Sequence, residues 1–449
     1  MIAEDLLAEV ARRASRYLES VKNRRVPPLH EDISRLVELG GALPEEPCDP
    51  ETVIALLDTI GSPATVTSTG GRYFGFVTGG TLPAALAANW LAGAWDQNAG
   101  LWVMSPVSSK IEEIAGAWLR EIFGLPPSCG VGFVTGATMA NFTGLAAARH
   151  ALLKRAGWDV EEQGLFGAPE IRVVLGAEAH VSVKKALSLL GLGRARMTIV
   201  ASDHEGRMKH DAMPPLDNRT IICIQAGNVN TGGFDPAAEI CSRARRAGAW
   251  VHVDGAFGLW AAAAPLRAHL MKGVCEADSW ATDCHKWLNV PYDSGLAFVR
   301  NPQDLSDAMA VSAAYLQTSN TREPAYFTPE ASRRARGVEV WAALRSLGRR
   351  GLAEMVERNC RLAARFAERL REAGYTVLND VVLNQVMVSF GDAETTRRVI
   401  AEVQDDGTCW CGGTEWQGHA AMRISVSCWA TTEEDVDRSV EAIVRIARK

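Results

Sequence analysis

From about residue 70 to 300 the chain alternates short runs of β-branched and apolar residues with longer stretches of helical period. VGFV (131–134), IRVVL (171–175), MTIV (197–200), TIICIQ (220–225) and AWVHVD (249–254) show little polar alternation, which predicts strands buried on both faces. Helical stretches separate most of them, at 137–156, 181–190 and 236–247. Strands joined by crossover helices predict a mainly parallel sheet covered on both sides, an α/β fold. The last third has a different rhythm. A long helical pattern from Val338 to Ala373, with a break near Gly351, precedes strands near 375–378, 384–390 and 421–427 and helices near 393–404 and 432–447. That predicts a smaller α+β unit. The first ~50 residues read as one or two helices ending in a turn at Pro44, Pro47 and Pro50. Ser312 to Glu330 is polar and has no period, which predicts a loop able to act as a lid.

Composition narrows the class. The 449 residues are too many for one simple core and predict two or three packed lobes. A net charge of -6 with no Lys/Arg block argues against a nucleic-acid partner. No apolar run is long enough to span a bilayer, so no membrane partner is expected. The opening MIAEDLLAEVARRASRYLES carries acids early and reads as an amphipathic helix rather than a signal peptide. The ten cysteines are irregularly spaced. Cys409 and Cys411 stand too close for a usual zinc knuckle, so the expectation is no metal and reduced thiols in a cytoplasmic protein.

Four short motifs carry candidate chemistry. Lys286, in Asp283-Cys284-His285-Lys286-Trp287, follows a strand-like run, and α/β sheets bind ligands beyond the carboxyl ends of their strands. Shielding by His285 and Trp287 would favour the neutral, nucleophilic amine, although a histidine–lysine pair on a surface looks the same in isolation. Asp254 ends the apolar run Val251-His252-Val253, where a buried carboxylate needs a partner. A cationic ring nitrogen would serve, as would a helix cap or a structural ion pair. Thr135-Gly136-Ala137-Thr138 follows a strand and opens a helix, an arrangement suited to an anion and also common as a plain turn. His180 stands between a strand and a helix, where it can stack on an aromatic ligand or simply face solvent.

The order of these pieces resembles that of the group II pyridoxal-phosphate-dependent amino-acid decarboxylases. The segments that carry the resemblance are TGATMAN (135–141), EAHVSVKKA (178–186), QAGNVNTGGFDP (225–236), WVHVDGAFG (250–258), DCHKWLNVPYDSG (283–295) and SRRARGVEVWAALRSLG (332–348). The likeness runs from about residue 50 to 448. It implies an aspartate-aminotransferase-like fold of type I, with an N-terminal helical segment (1–60), a large cofactor-binding domain (61–335) and a small C-terminal α+β domain (336–449). It also implies pyridoxal 5'-phosphate as cofactor and a small amino acid as substrate, which is decarboxylated to the amine and CO2. By the same resemblance, Lys286 forms the Schiff base, Asp254 pairs with the pyridine nitrogen and His180 stacks on the ring. Gly136, Ala137, Thr138 and His285 surround the phosphate, Ala256 packs against the ring, and Arg423 receives the substrate α-carboxylate. Tyr326 is the candidate proton donor of the loop, with Tyr315 next. A homodimer is implied, its N-terminal helices (about 2–22) wrapped around the partner. Two departures stand out: Gly255 replaces a common alanine, and Gln225 replaces a threonine near the ring hydroxyl. A carbon–carbon lyase like the sphingosine-phosphate lyases, an aminotransferase and an aldehyde-forming variant are the competing readings.

Overall fold

The structure, a computed structural model, describes residues 3–310 and 321–449. Seven strands form one sheet: β1 (Gly130–Val134), β2 (Arg172–Gly176), β3 (Met197–Val200), β4 (Thr220–Gln225), β5 (Trp250–Asp254), β6 (Ser279–Asp283) and β7 (Gly295–Val299). Their order is β1-β7-β6-β5-β4-β2-β3. All neighbours are parallel except β7, which runs against both β1 and β6. The strands are apolar because both faces are covered. Ile222 and Ile224 point into one core with Val251, Val253, Trp280 and Phe298, while Ile221 and Cys223 point into another with Leu145, Leu152 and Val173. The α/β expectation therefore holds, and five of the seven strands fall where the apolar runs predict them.

The antiparallel β7 is not visible in those runs. Its cause is the connection 284–294, which contains no crossover helix, so the chain can only double back beside β6. Lys286 lies in that connection. The far side of β1 is a sheet edge, and arginines close it. Arg322 donates to the Val131 carbonyl at 2.5 Å and Arg333 to the Phe133 carbonyl at 3.0 Å. Both guanidiniums also reach the buried carboxylate of Glu112, at 3.5 and 2.5 Å. A buried pair of this kind is held by its geometry: deleting one partner leaves a stranded charge.

A second sheet, ordered β10-β11-β9-β8, is antiparallel throughout. It consists of β8 (Thr376–Val377), β9 (Gln385–Ser389), β10 (Gly412–Trp416) and β11 (His419–Ser425). Helices Ala393–Asp406 and Glu433–Ala447 and the second half of Gly337–Glu372 pack on it around Phe366, Val388, Val399, Ile424 and Val440. Three sequence expectations are corrected here. The long helix breaks at Gly348, where φ is 58°, and not at Gly351, which keeps the helical path. Pro50 opens the helix Pro50–Leu56 instead of ending a turn, because Asp49 caps that helix and proline suits a first helical position. β10 escapes the apolar pattern because it begins with two glycines. Its hairpin with β11 turns at Gln417-Gly418, both with positive φ. Among the described residues no helix is long and apolar enough to cross a membrane.

His252 on β5 is fully buried between Ser279 Oγ (2.8 Å) and Asn141 Oδ1 (2.9 Å), and burial pushes its pKa down to about 3. The unfolded chain takes up this proton near pH 6.5, whereas the folded chain does not. This residue should therefore cost about 1.4 kcal/mol of stability per pH unit as pH falls below about 6.5. His252→Gln can keep both hydrogen bonds and does not titrate. We expect its melting temperature to fall less steeply than wild type between pH 6 and 4; parallel curves would refute the assignment.

Candidate active site

Parallel strands put their carboxyl ends on one rim, and the candidate residues collect there. In the register of the sheet Gln225 pairs with Asp254, and Asp254 with Ala281, so β4 and β5 end level and β6 runs two residues further, to Asp283. Asp254 is the last residue of β5, and Asp283 the last of β6. Lys286 Nζ stands 3.0 Å from Asp283 Oδ2, and His285 Nε2 stands 3.3 Å from Asp283 Oδ1. The Ala137 N–H, at the start of the helix Ala137–Arg155, donates to Asp283 Oδ1 at 2.5 Å. Asp283 thus ties the lysine turn to the helix that follows β1. Gly136 is needed at this junction: a side chain there would meet the His285 ring at 3.0 Å and Asp283 at 3.2 Å.

His180 caps the helix Val181–Leu189, its Nδ1 accepting the Ser182 N–H at 3.2 Å with Ser182 Oγ at 2.7 Å. In the neutral ring this leaves the proton on Nε2. Burial lowers the His180 pKa; the Asp254 carboxylate opposes this, and the Lys286 and Arg423 cations add to it. Arg423, on β11, comes from the other sheet. Its Nη1 reaches Asn230 Oδ1 at 3.4 Å, and Thr414 Oγ1 holds the same oxygen at 3.0 Å. His180, Asp254, Asp283, Lys286 and Arg423 therefore share one electrostatic neighbourhood.

Two features suit this site to an anionic, aromatic, nitrogen-containing ligand. The first is Asp254. It is 5% exposed, accepts the Ala256 N–H at 3.2 Å, and has no ion pair within 4 Å among the described residues. Burial raises its carboxyl above the usual range, partly offset by the charges of His180 and Lys286. A ring N–H would supply the missing donor. The second is the opening of the helix Ala137–Arg155. Past Ala137, whose N–H is taken by Asp283, the first-turn amides of Thr138 and Met139 point along the helix axis and can receive a phosphate.

Sequence reasoning passes over several neighbours. Tyr292 stacks on His285 with 4.2 Å between ring centres, and the charges of Asp283 and Lys286 both reach it. Burial raises the phenols of both Tyr292 and Tyr73, the latter up to about 12. Trp410 stacks on Tyr73 at 5.2 Å and meets Phe76 at 5.4 Å. This aromatic wall joins residues more than three hundred positions apart, which no local pattern reveals. Gln225 spends its backbone N–H on Asp235 at 2.7 Å. Tyr326 is not brought to the cluster within one chain. It lies on the turn Pro324–Phe327, beside the outer edge of β1, where Phe327 fills the space a Gly132 side chain would take. Tyr315 lies outside the described residues, as does all of the predicted loop before Thr321.

A family model described as the pyridoxal-dependent decarboxylase conserved domain matches residues 35–390. An aromatic-L-amino-acid decarboxylase of Bacillus atrophaeus is 25% identical over 421 residues, covering 88% of this chain and 85% of that protein. An L-2,4-diaminobutyrate decarboxylase of Rhizobium meliloti is 28% identical over 391 residues, covering 81% and 75%. A 4-hydroxyphenylacetaldehyde synthase of Rhodiola rosea is 25% identical over 365 residues, covering 75% and 72%. In fold, the chain matches the crystal structure of Oryza sativa TDC with PLP and tryptamine at a TM-score of 0.90 and 22% identity, over 99% of this chain and 97% of that one.

The burial of Asp254 gives a stability prediction. Its folded carboxyl holds a proton more tightly than the unfolded one, so ionising it at neutral pH costs stability. Asp254→Asn keeps an acceptor for Ala256 and removes that charge. We expect the ligand-free variant to melt roughly 2 °C or more above wild type at pH 7.5. The gain should vanish below about pH 4, where both states are protonated. A variant that melts lower at pH 7.5 would show that the carboxylate is already compensated.

Proposed function

The chain belongs to the pyridoxal-dependent decarboxylase family, and we propose that it holds pyridoxal 5'-phosphate on Lys286 and converts an L-amino acid into its amine and CO2. It is a pyridoxal-phosphate-dependent carboxy-lyase of amino acids. The observation that carries the finer reading is the gathering of Lys286, Asp254 and His180 at one rim of the seven-stranded sheet, with Arg423 of the other sheet within electrostatic reach. When bound, pyridoxal phosphate supplies an electron-withdrawing ring that accepts the pair left by the departing carboxylate. The residues supply the rest. Asp254 would keep a proton on the ring nitrogen, and His180 would cover the ring. The segment Gly136, Ala137 and Thr138, with His285, would hold the phosphate. Ala256, two residues past Asp254, would pack against the ring. Arg423 would fix the substrate carboxylate, and so the bond that must stand across the ring plane before CO2 can leave. We assign residues 1–60 to an N-terminal helical segment, 61–335 to the cofactor-binding domain and 336–449 to the small domain.

The aromatic wall of Tyr73, Phe76 and Trp410 supports an aromatic substrate side chain over an acidic one. Ten unpaired cysteines support a reducing, cytoplasmic setting. A homodimer is supported by apolar surface along the helix Pro83–Trp95, where Trp90, Leu91 and Trp95 are exposed. Such a dimer would also answer the position of Tyr326: a turn that lies off the cluster in its own chain can serve the site of the partner.

The central test is borohydride reduction of the loaded enzyme, followed by peptide mapping and an amino-acid panel assayed for CO2 and amine. The pyridoxyl group should map to Lys286, and aromatic amino acids should give the fastest turnover. A label on another lysine would overturn the attachment site, and equal or faster turnover of glutamate would overturn the aromatic reading. In air, Tyr326→Phe should still release CO2 but yield less amine and more aldehyde, dioxygen taking two electrons as peroxide and the nitrogen leaving as ammonia; aldehyde is the product that names the Rhodiola relative. Mixing Tyr326→Phe with inactive Lys286→Ala subunits should restore amine formation to about a quarter of wild type, since half the dimers are hybrids with one complete site. No recovery in proven hybrids would remove Tyr326 from the partner's site.

A further inference from the structure

Decarboxylation has no use for three metal-ligating side chains at the seam between the two sheets. His204 and Glu205 sit in the turn after β3, closed by a bridge between Ser202 and Met208. Asp380 sits in the connection between β8 and β9. One ligand atom from each residue lies within 4.8 Å of the other two. His204 and Asp380 are exposed, whereas Glu205 is 4% exposed.

The two oxygens of Glu205 have unlike surroundings. Oε1 accepts the Asp380 backbone N–H at 3.0 Å and lies 4.0 Å from His204 Nε2. Oε2 is buried and has no hydrogen-bond partner. Leaving a carboxylate oxygen in that state is costly, and evolution of a fold removes such groups unless something fills the gap. A cation would give that oxygen a partner.

The scaffold is set for one. Asp203 Oδ1 accepts the backbone N–H groups of Glu205 and Arg207, each at 2.9 Å. The Glu205 carbonyl accepts the Thr231 hydroxyl at 2.7 Å. Across the seam, Asn379 Nδ2 donates to the Thr231 carbonyl at 3.1 Å, and Gln417 Nε2 to the Asp203 carbonyl at 3.1 Å. The two ligand-bearing loops are thus held together by side-chain-to-backbone bonds, through Thr231 between them, while the exposed side chains of His204 and Asp380 have room to close in. Metal–ligand bonds of about 2.0–2.2 Å ask for a movement of about 1 Å from each.

We propose that His204, Glu205 and Asp380 bind a divalent cation that clips the turn after β3 to the connection after β8. One imidazole nitrogen and two carboxylate oxygens suit a borderline ion such as zinc better than calcium or magnesium, with water in the remaining position.

The test uses the enzyme loaded with pyridoxal phosphate, treated with EDTA and freed of chelator. Titration with zinc chloride by calorimetry should show one saturable site per chain. His204→Ala and Asp380→Asn should each weaken it at least ~10-fold. Both alter exposed side chains, so folding is checked by unchanged melting in EDTA. Glu205→Gln should abolish the rise in melting temperature that zinc gives the wild type. Cobalt at the site should show no thiolate charge-transfer band. Absence of saturable binding would overturn the proposal and leave a buried water as the partner of Oε2. Equal affinity in both variants, or a thiolate band, would place the metal on cysteines and overturn it as well.

Discussion

The buried side chain of Asn289 holds the lysine turn to two distant parts of the chain. Its Oδ1 accepts the N–H groups of Gly80 at 2.6 Å and Trp429 at 2.9 Å. Its Nδ2 donates to the carbonyls of Trp287 and Ser427, both at 2.9 Å. Every strong hydrogen-bonding position of the amide is used, and Asn289 itself takes a positive φ of 55° that asparagine tolerates better than most residues. Losing the amide would strand four backbone groups in a dry interior, each costing about 1–3 kcal/mol. The approach is close enough that Gly79 cannot be replaced: a Cβ there would fall 1.8 Å from the Lys286 carbonyl oxygen. The lysine is therefore aimed by backbone packed on backbone, with little freedom left in the turn.

That rigidity explains how the site carries so much charge. Two carboxylates, a lysine, an arginine and two histidines gather where desolvation penalises every charged form. His180 and His285 answer by staying neutral, each held by a hydrogen bond to a nearby backbone N–H, from Ser182 and from Ser294. Asp283 answers with a helix amide, an imidazole and an ammonium. Of the two carboxylates, Asp254 has one amide partner among the described residues. A carboxylate so buried with one donor is costly, and that cost supports the proposal that its partner arrives with the ligand.

Residues next to one another in sequence were legible, and residues joined only by the fold were not. The buried strands β2 to β5 announce themselves because parallel strands covered on both faces are apolar throughout. The lysine, the acid and the helix opening are legible as well, because each belongs to a short segment with its own local grammar. β7 is silent in the pattern because its direction depends on what the connection 284–294 lacks. β10 is silent because Gly412 and Gly413 suppress the strand signal. The long helix breaks three residues before the expected Gly351 because both Gly348 and Gly351 are compatible with a break, and only the tertiary path selects the first. The aromatic wall needed Trp410 to meet Tyr73, and the cation-ligating cluster needed Asp380 to meet Glu205. Neither pairing leaves a trace in local periodicity.

The seam between the sheets links these observations. Asn230 holds Arg423, and the neighbouring Thr231 both donates to the Glu205 carbonyl and accepts from Asn379. The loop 226–236 that leaves β4 thus touches the ligand rim at one residue and the cation-ligating cluster at the next. Arg423 belongs to the four-stranded sheet and Lys286 to the seven-stranded one, so the distance between them is set by how the sheets are fastened. A bond that must stand across a ring plane tolerates little error in that distance. Asn289 fastens the sheets on the lysine side through Ser427, and Asn379 and Gln417 fasten them on the arginine side. With both sides pinned, a small shift at the seam becomes a shift of Arg423 relative to Lys286. Under the roles proposed for these two residues, the geometry that selects which substrate bond breaks is a property of the junction as much as of the residues that would touch the substrate.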